Sequence, residues 1–590
     1  MKKYNIITLL LLLFASCSRL DETPLDFYDA EDYYMTDDQI ELSATGIYSR
    51  LTLNGTYGQY FHAAIDLYGG LSGTDNWRYG FLTSAGISTI QPNEDLLLMI
   101  WANHYTTIGN CNTTIDRVTN STGDLTEELR YRVIAEAKFI RALMYFNLVR
   151  CWQEVPLRLD RLTSDMGTDM PLASIRDIFD AIIADLTYAE EHLWNRGESR
   201  GGSLNDVGRA TKLAAQHLLS KVYLEIASST RYAQTDGVDA YAGAEFNKVF
   251  SDTYSDEEVT EYYTLAKSMA STAMANSDYA ILDTWTDLWG VNGQNNAEVS
   301  FAANYSSGSN YGSMFFTIYT PEYSTINQPA TTKQIGLSAA FYRLMRDYNK
   351  ASGVVNDPHL HEYYTYNFKN WSEADSDGDK RITDGMIQSY VSTNSTAVGS
   401  DGVAVNTVGW EDWTTSLKYT IVYYVDGVKT KLTADNTLFY YAKWIDENCT
   451  IAGTSSLDWP ILRCAELPLI LSEATVELSG NPSSGFSNFN VVRARGNENY
   501  LLDAEELAAY PGDNDMEKFH NAILRERIVE FMGEGYRFFD LKRLGQLAKF
   551  TSIYGDTSGQ YLRYPYNYYW PIPQSEMEAN RAIKLQKTGY

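Results

Sequence analysis

Asp375, Asp377, Asp379 and Asp384 stand close together in the run Asp375-Ser376-Asp377-Gly378-Asp379-Lys380-Arg381-Ile382-Thr383-Asp384. Carboxylates at the first, third and fifth positions, with an apolar residue at the eighth, resemble a calcium loop, in which a hard cation takes several oxygen ligands. Lys380 occupies the place of the turn glycine and Met386 that of the bidentate glutamate, so Asp384 would have to serve from two residues earlier. Two readings stay open: Ca2+ on these four aspartates, or a solvated acidic loop. His359 and His361 would share a face of an extended segment. A pair with no third ligand is a weak metal signal, and exposed loop histidines are the simpler reading. Arg525, Glu526, Arg527, Glu530, Glu534, Arg537, Asp540 and Arg543 mix signs around Phe531, Phe538 and Phe539. Such mixing suits paired ions that tie helix ends to a core rather than an active site. No H-E-x-x-H, G-x-S-x-G or phosphate-binding loop occurs. None of the 76 acidic residues stands out by context as half of a glycosidase pair. The sequence requires no cofactor, and calcium is its one candidate ion.

The amino terminus carries chemistry of another kind. Lys2 and Lys3, the apolar run from Ile6 to Phe14 and the small residues Ala15 and Ser16 describe a secretory signal. That run is too short to cross a hydrocarbon core of ~30 Å as a helix. Leu13-Phe14-Ala15-Ser16-Cys17 resembles a bacterial lipobox, which implies cleavage before Cys17 and lipidation of its sulfur and new amino group. Ser18 follows in place of the aspartate that resembles an inner-membrane retention signal, so the expected location is the outer membrane, facing outward. The formal charge of −29 would repel phosphate backbones, which makes nucleic acid a poor partner. Cys111, Cys151, Cys449 and Cys464 show no CxxC spacing and read as four buried thiols. The 45 Tyr and 12 Trp suit ligands that are polar yet present apolar faces.

These groups need a scaffold, and the apolar periodicity supplies one. Over 131–150, Phe139, Ala142, Leu143 and Phe146 form one stripe and Ala137, Ile140, Met144 and Leu148 an adjoining one, so this helix should be central. Phe179, Ile182, Ile183, Leu186 and Ala189 follow the same rule, as do Ala215 to Ile226 and Ala266 to Ala273. Ser255 with Glu258 reads as a capping box. Helices carrying small Ala positions suggest stacked pairs like tetratricopeptide repeats, at too irregular a spacing for a strict 34-residue period. From about 280 to 460 the texture changes to Gly, Asn, Ser, Thr and aromatics. Tyr419–Val425, Asp426-Gly427 and Val428–Leu432 form a hairpin signal there. Helical periodicity returns at Leu467–Leu478 and around Leu524–Phe531.

Several segments match a known family in order along the chain. They are Glu136–Ala142 running on to Val155-Pro156-Leu157, Gly208-Arg209-Ala210-Thr211-Lys212, Arg463-Cys464-Ala465-Glu466 and Val492–Arg495. The fullest match is Arg525–Phe531 with Gly535–Arg543, followed by Pro571-Ile572-Pro573-Gln574. Together they resemble the SusD/RagB family of outer-membrane nutrient-binding lipoproteins. Pro468 departs from the family, which usually has an aliphatic inside a helix there. The resemblance implies a mainly α fold: a tetratricopeptide-like helical-pair scaffold with an irregular, loop-rich insertion containing short β-hairpins. The expected parts are a signal at 1–16, a helical region at 17–280, the insertion with the ligand face at 281–460 and a helical region at 461–590. The implied function is capture of an oligosaccharide or polysaccharide, delivered to a SusC-like TonB-dependent transporter without catalysis. The rival classes are a surface glycoside hydrolase and a structural or adhesive lipoprotein.

In the family, sugars bind a shallow face built from loops near the first helices and from the insertion. Candidates here are Asp75, Asn76, Trp77 and Tyr79, then Trp285, Trp289, Asn304, Tyr305, Tyr311, Tyr319 and Tyr323. Trp77 ranks first because Gly69, Gly70, Gly73 and Gly80 mark an exposed loop around it.

Overall fold

The computed structural model of this chain describes residues 33–73, 90–163, 167, 169–198, 207–232, 253–284, 287–308, 312–319, 335–337, 364–367, 409–411, 419–425, 428–434, 438–444, 446, 448–449, 451–497, 501–547, 568–587 and 590. Cys17, Asp75, Asn76, Trp77, Tyr79, Trp285, Tyr311, Tyr323, His359, His361 and the aspartates Asp375, Asp377, Asp379 and Asp384 lie outside them.

The helical scaffold runs α1 (Asp37–Tyr48), α2 (Tyr60–Tyr68), α3 (Asp95–Thr119), α4 (Glu127–Trp152), α5 (Ile175–His192), α6 (Lys212–Tyr232) and α7 (Asp256–Met274). Successive helices from α3 to α7 pack on one another, as a stack of helical pairs requires. In α4 every residue from Arg132 to Trp152 except Lys138 is buried, so the two apolar stripes do place it at the centre. Ser255 caps α7, accepting from the Glu258 N–H while the Glu258 side chain accepts from the Ser255 N–H. The four cysteines are free and buried.

The polypeptide after α7 returns to this scaffold through short strands and helices. They are, beyond β1 (Ser72–Gly73) which follows α2, β2 (Val299–Ala303), α8 (Phe315–Tyr319), β3 (Gly336–Leu337), β4 (Tyr364–Asn367), β5 (Gly409–Glu411), β6 (Tyr419–Val425), β7 (Val428–Ala434), β8 (Leu438–Tyr441) and β9 (Trp459–Arg463). The hairpin signal is met by β6 and β7, which pair antiparallel from Tyr419 opposite Ala434 to Val425 opposite Val428. A second sheet has the order β1-β3-β8-β4, and β2 pairs antiparallel with β9 alone. The β2–β9 register shifts beside Pro460, which has no N–H to give the ladder. The boundary expected at 460 falls inside β9, because this strand belongs to the pair that fuses the insertion to the carboxy-terminal helices.

Those helices are α9 (Glu466–Ser479), α10 (Phe486–Asn497), α11 (Ala504–Ala509), α12 (Asp515–Phe531), α13 (Arg537–Arg543) and α14 (Gln574–Ala579). Pro468 sits in the first turn of α9, where the missing donor has no intrahelical acceptor to lose, so it starts the helix without kinking it. The Pro571-Ile572-Pro573 segment docks on the end of α4. The Trp152 indole donates to the Pro571 carbonyl at 2.7 Å and the Trp570 N–H to the Cys151 carbonyl at 2.9 Å.

Candidate functional site

Three cations and three glutamates lie buried where the insertion meets the carboxy-terminal helices. Glu298, Glu530, Glu534, Lys443 and Arg463 have side chains that expose no surface. Arg463 at the end of β9 donates to Glu298 and Glu530 at 2.7 Å each and to Glu534 at 2.7 and 3.0 Å. Lys443 reaches Glu534 at 2.8 Å, and Arg495 of α10 bridges Glu298 and Glu530. A second ladder runs from Arg527 to Asp540 (2.8 Å) and Glu466 (2.6 Å), and from Arg543 to Asp540 and Glu473. Glu526 accepts from Arg493 at 3.0 Å, and the Arg537 fork donates to the Gly69 carbonyl at 2.7 Å. The mixed-sign run therefore works as paired ions that fix element positions. Lys221, half-buried and bonded to Glu466, is pushed down to about 8 by desolvation.

Above this platform lies an aromatic stack. Trp444 and Trp459 are parallel, with 4.7 Å between ring centroids, and His62 stacks on Trp459 at 4.0 Å. The Tyr319 hydroxyl donates to Asp66 at 2.8 Å and must then accept from His62 Nδ1, also 2.8 Å away. With Asp66 ionised, that order puts the proton of the neutral imidazole on Nδ1. Burial lowers His62 to about 3, and it raises Asp66 to about 7 against the opposing bonds from Tyr319 and the Gly535 N–H. Tyr319 exposes 0% of its surface. A ligand platform must be reachable, so Tyr319 is a core residue and leaves the set of sugar-binding candidates.

Asn304 and Tyr305 come out differently. They leave the end of β2 and meet Asp458, the residue before β9. The Tyr305 N–H donates to Asp458 Oδ1 at 2.7 Å; Asn295 Nδ2 and Asn304 Nδ2 donate to Oδ2 at 3.2 and 3.5 Å. Asn304 Nδ2 also reaches Asn295 Oδ1 at 2.9 Å. Asn295 is held with φ +51, a left-handed conformation that asparagine tolerates better than most residues. The Tyr305 hydroxyl donates to the Tyr57 carbonyl at 3.0 Å, tying the cluster to the turn before α2. Asn304 is exposed, while Asn295, Tyr305 and Asp458 are half-buried. Burial raises the Asp458 carboxyl to about 7, with the Tyr305 N–H opposing it.

Gly208 backs the Asn304 amide: it has φ +84, and a Cβ there would stand 2.8 Å from Asn304 Nδ2. The next residue, Arg209, forks onto Glu136 of α4 at 2.6 and 2.9 Å, which gives the Gly-Arg-Ala-Thr-Lys segment a mechanical role. Trp289, half-buried, lines a recess beside the cluster with Gly290, Gln294, Asn295, Trp444 and Asp458. Its ring packs edge-on to Trp444 at 5.6 Å and lies 4.7 Å from the Lys443 ammonium, so much of it is committed to the interior.

The structure thus brings together Asn304, Tyr305 and the edge of Trp289 from the sequence-predicted set, and adds Asn295 and Asp458. Nothing local marked those two. Asn295 sits in a Gly/Asn turn like several others, and Asp458 is one acid among many. Among the described residues no three His, Cys, Asp or Glu side chains form a metal-holding group. An exposed amide joined to a half-buried carboxylate can accept and donate hydrogen bonds to neighbouring hydroxyls, with a ring alongside for an apolar face.

Residues 288–590 match the family described as SusD family, and residues 72–224 match one described as starch-binding associating with outer membrane. The chain belongs to the SusD family. A SusD-like protein of Bacteroides ovatus is 28% identical over 304 residues, 50% of this chain and 48% of that protein. SusD-like protein P25 of Formosa agariphila is 23% identical over 599 residues, 99% of this chain and 98% of its own. The chain therefore spans about half the length of the first relative and nearly all of the second. A SusD homolog of Bacteroides thetaiotaomicron superposes with a TM-score of 0.68 at 18% identity, covering 95% of this chain and 98% of that one. A laminarin-binding SusD-like protein gives 0.62 at 18% (94% and 99%), and a structure solved with xylogluco-oligosaccharide gives 0.60 at 19% (92% and 97%). At these identities the superpositions establish the mainly helical SusD fold. Among the described residues no helix is long and apolar enough to cross a membrane.

Proposed function

We propose that this SusD-family protein captures a glycan at the outer face of the outer membrane and hands it to a SusC-like TonB-dependent transporter, without catalysis. It is held there by lipid on Cys17. The observation that carries the reading is the convergence of Asn295, Asn304 and Tyr305 on Asp458 at an accessible edge, in a chain whose family includes proteins named for glycan binding. The sequence-derived aromatics outside the described residues, with Trp77 foremost, are further candidate contacts of the proposal.

Affinity electrophoresis of the mature chain against a polysaccharide panel tests this, with reducing ends assayed in parallel. Retardation by at least one glycan without new reducing ends is expected; hydrolysis would assign the protein to an enzyme class. Asn304→Ala should weaken binding by about 2- to 10-fold, the worth of a hydrogen bond of ~0.5–1.5 kcal/mol, with Tm unchanged because the residue is exposed. Trp77→Ala should cost at least about tenfold if its ring is an anchor. Full affinity in both variants would move the site elsewhere.

Anchoring is tested separately. Cys17→Ala should yield folded protein in the soluble fraction, because the sulfur of Cys17 is the proposed lipid acceptor. Recovery of the variant in the membrane pellet at the wild-type level contradicts it.

A further inference from the structure

We infer that Asp458, framed by Asn295 and Asn304, makes this face a receptor for uncharged glycan and the residue that rejects sugars bearing carboxylate or sulfate. The inference rests on the proposed glycan capture and narrows its ligand class.

Asp458 differs from the buried glutamates of this region in its company. Glu298, Glu530 and Glu534 are neutralised by Arg463, Arg495 and Lys443, Glu466 by Arg527 and Lys221, and Glu473 by Arg543. Asp458 is held by two side-chain amides and one backbone N–H, and by no cation among the described residues. The nearby cations already donate to other protein acceptors. Lys443, in the same recess, is bonded to Glu534. Arg463 is saturated by three glutamates, and Arg196 on the neighbouring loop donates to the carbonyls of Asn296 and Val299 at 3.2 and 2.8 Å. None of these cations is bonded to Asp458, so an incoming anion meets its carboxylate with no paired positive charge.

For hydroxyls the balance is favourable. A carboxylate has about four lone-pair sites. Three donors already occupy Asp458, at 2.7, 3.2 and 3.5 Å, and the longest of them is weak enough to be exchanged. Asn304 is exposed, and its amide oxygen accepts from no donor among the described residues. Neighbouring hydroxyls on a pyranose ring present donors to both at once. A uronate or sulfate on the same sugar would bring a second negative charge against a half-buried one, and the formal charge of −29 adds a longer-range repulsion.

The two repulsions separate by range. At 0.5 M salt the screening length falls to on the order of 4 Å, so the field of the whole chain is suppressed while a direct contact persists. The experiment uses the full mature chain at pH 8.5, above the value of about 7 to which burial raises Asp458, so that the carboxylate is charged. Gels carry starch, laminarin or xyloglucan on one side and polygalacturonate, alginate or a sulfated galactan on the other. The neutral glycan that binds is then titrated against its own C6-carboxylated derivative.

Retention by a neutral polysaccharide is expected, with at least a tenfold loss on carboxylation at both 0.15 and 0.5 M salt. Asp458→Asn should close that gap to within about threefold. Asn304→Asp, an exposed change that leaves the core untouched, should widen it. Equal or stronger retention by an acidic polysaccharide overturns the inference, as does a gap that neither variant alters or one that vanishes at 0.5 M salt. Retention by none of the six overturns the capture reading itself.

Discussion

Arg463→Met is expected to lower folding stability by about 3–5 kcal/mol, read as a shift of the denaturant midpoint at unchanged slope. The side chain touches three carboxylates, Glu298, Glu530 and Glu534, and neither it nor they expose any surface. Methionine fills a similar volume but leaves three negative charges facing the two remaining cations of the cluster, Arg495 and Lys443. The cost arises from that imbalance. A buried network of this kind need not stabilise the chain relative to a well-packed apolar one, yet removing a single partner strands the others. Lys443→Met should cost less, because Glu534 keeps both of its bonds from Arg463. An Arg463→Met midpoint within about 1 kcal/mol of wild type would mean that water or a rearranged lysine reaches these carboxylates. The consequence for function follows from position. Arg463 ends the strand that Asp458 precedes, so the same bonds that join the insertion to α12 hold the candidate site in place.

Much of the scaffold was legible because helix periodicity is a local property. Phe139, Ile140, Leu143 and Phe146 each declare a face within two turns, and Ser255 with Glu258 declares a start, so α4 and α7 could be placed before any contact was known. The charged run from Arg525 to Arg543 was readable for a similar reason: mixed signs beside phenylalanines have few uses other than pairing. Ring exposure is not local. Tyr319 and Tyr305 look alike in sequence, yet one is sealed between His62, Asp66 and Trp444 while the other keeps an accessible edge. What separates them is where α8 and β2 land on the scaffold, and that is settled by partners more than 200 residues away. Asp458 was hidden by the same logic. A lone acid becomes a site only when Asn295, Asn304 and Tyr305 arrive from a strand about 150 residues earlier, and no spacing rule within either segment records that meeting.

Trp444→Ala is expected to cost about 3–5 kcal/mol, the range for truncating a large buried aromatic to leave a cavity. The ring exposes 1% of its surface. It lies parallel to Trp459 at 4.7 Å, 5.4 Å from Phe315 and 6.0 Å from Tyr319, and its indole N–H donates to the Gly533 carbonyl at 3.2 Å. Alanine removes the packing and leaves that carbonyl without its donor, two losses that add in the same direction. Collapse around the cavity is limited, since Gly533 has φ +79 and a Cβ there would already stand 2.5 Å from the Tyr441 ring. Trp444→Phe should recover part of the loss by refilling the stack without the indole donor. Because Trp459 rests on Trp444 and Asp458 precedes Trp459, glycan affinity measured well below the melting transition should fall only modestly in the phenylalanine variant. The opposite pattern, an unchanged Tm with binding abolished, would make Trp444 a sugar platform and place the ligand face on the stack instead of at its edge.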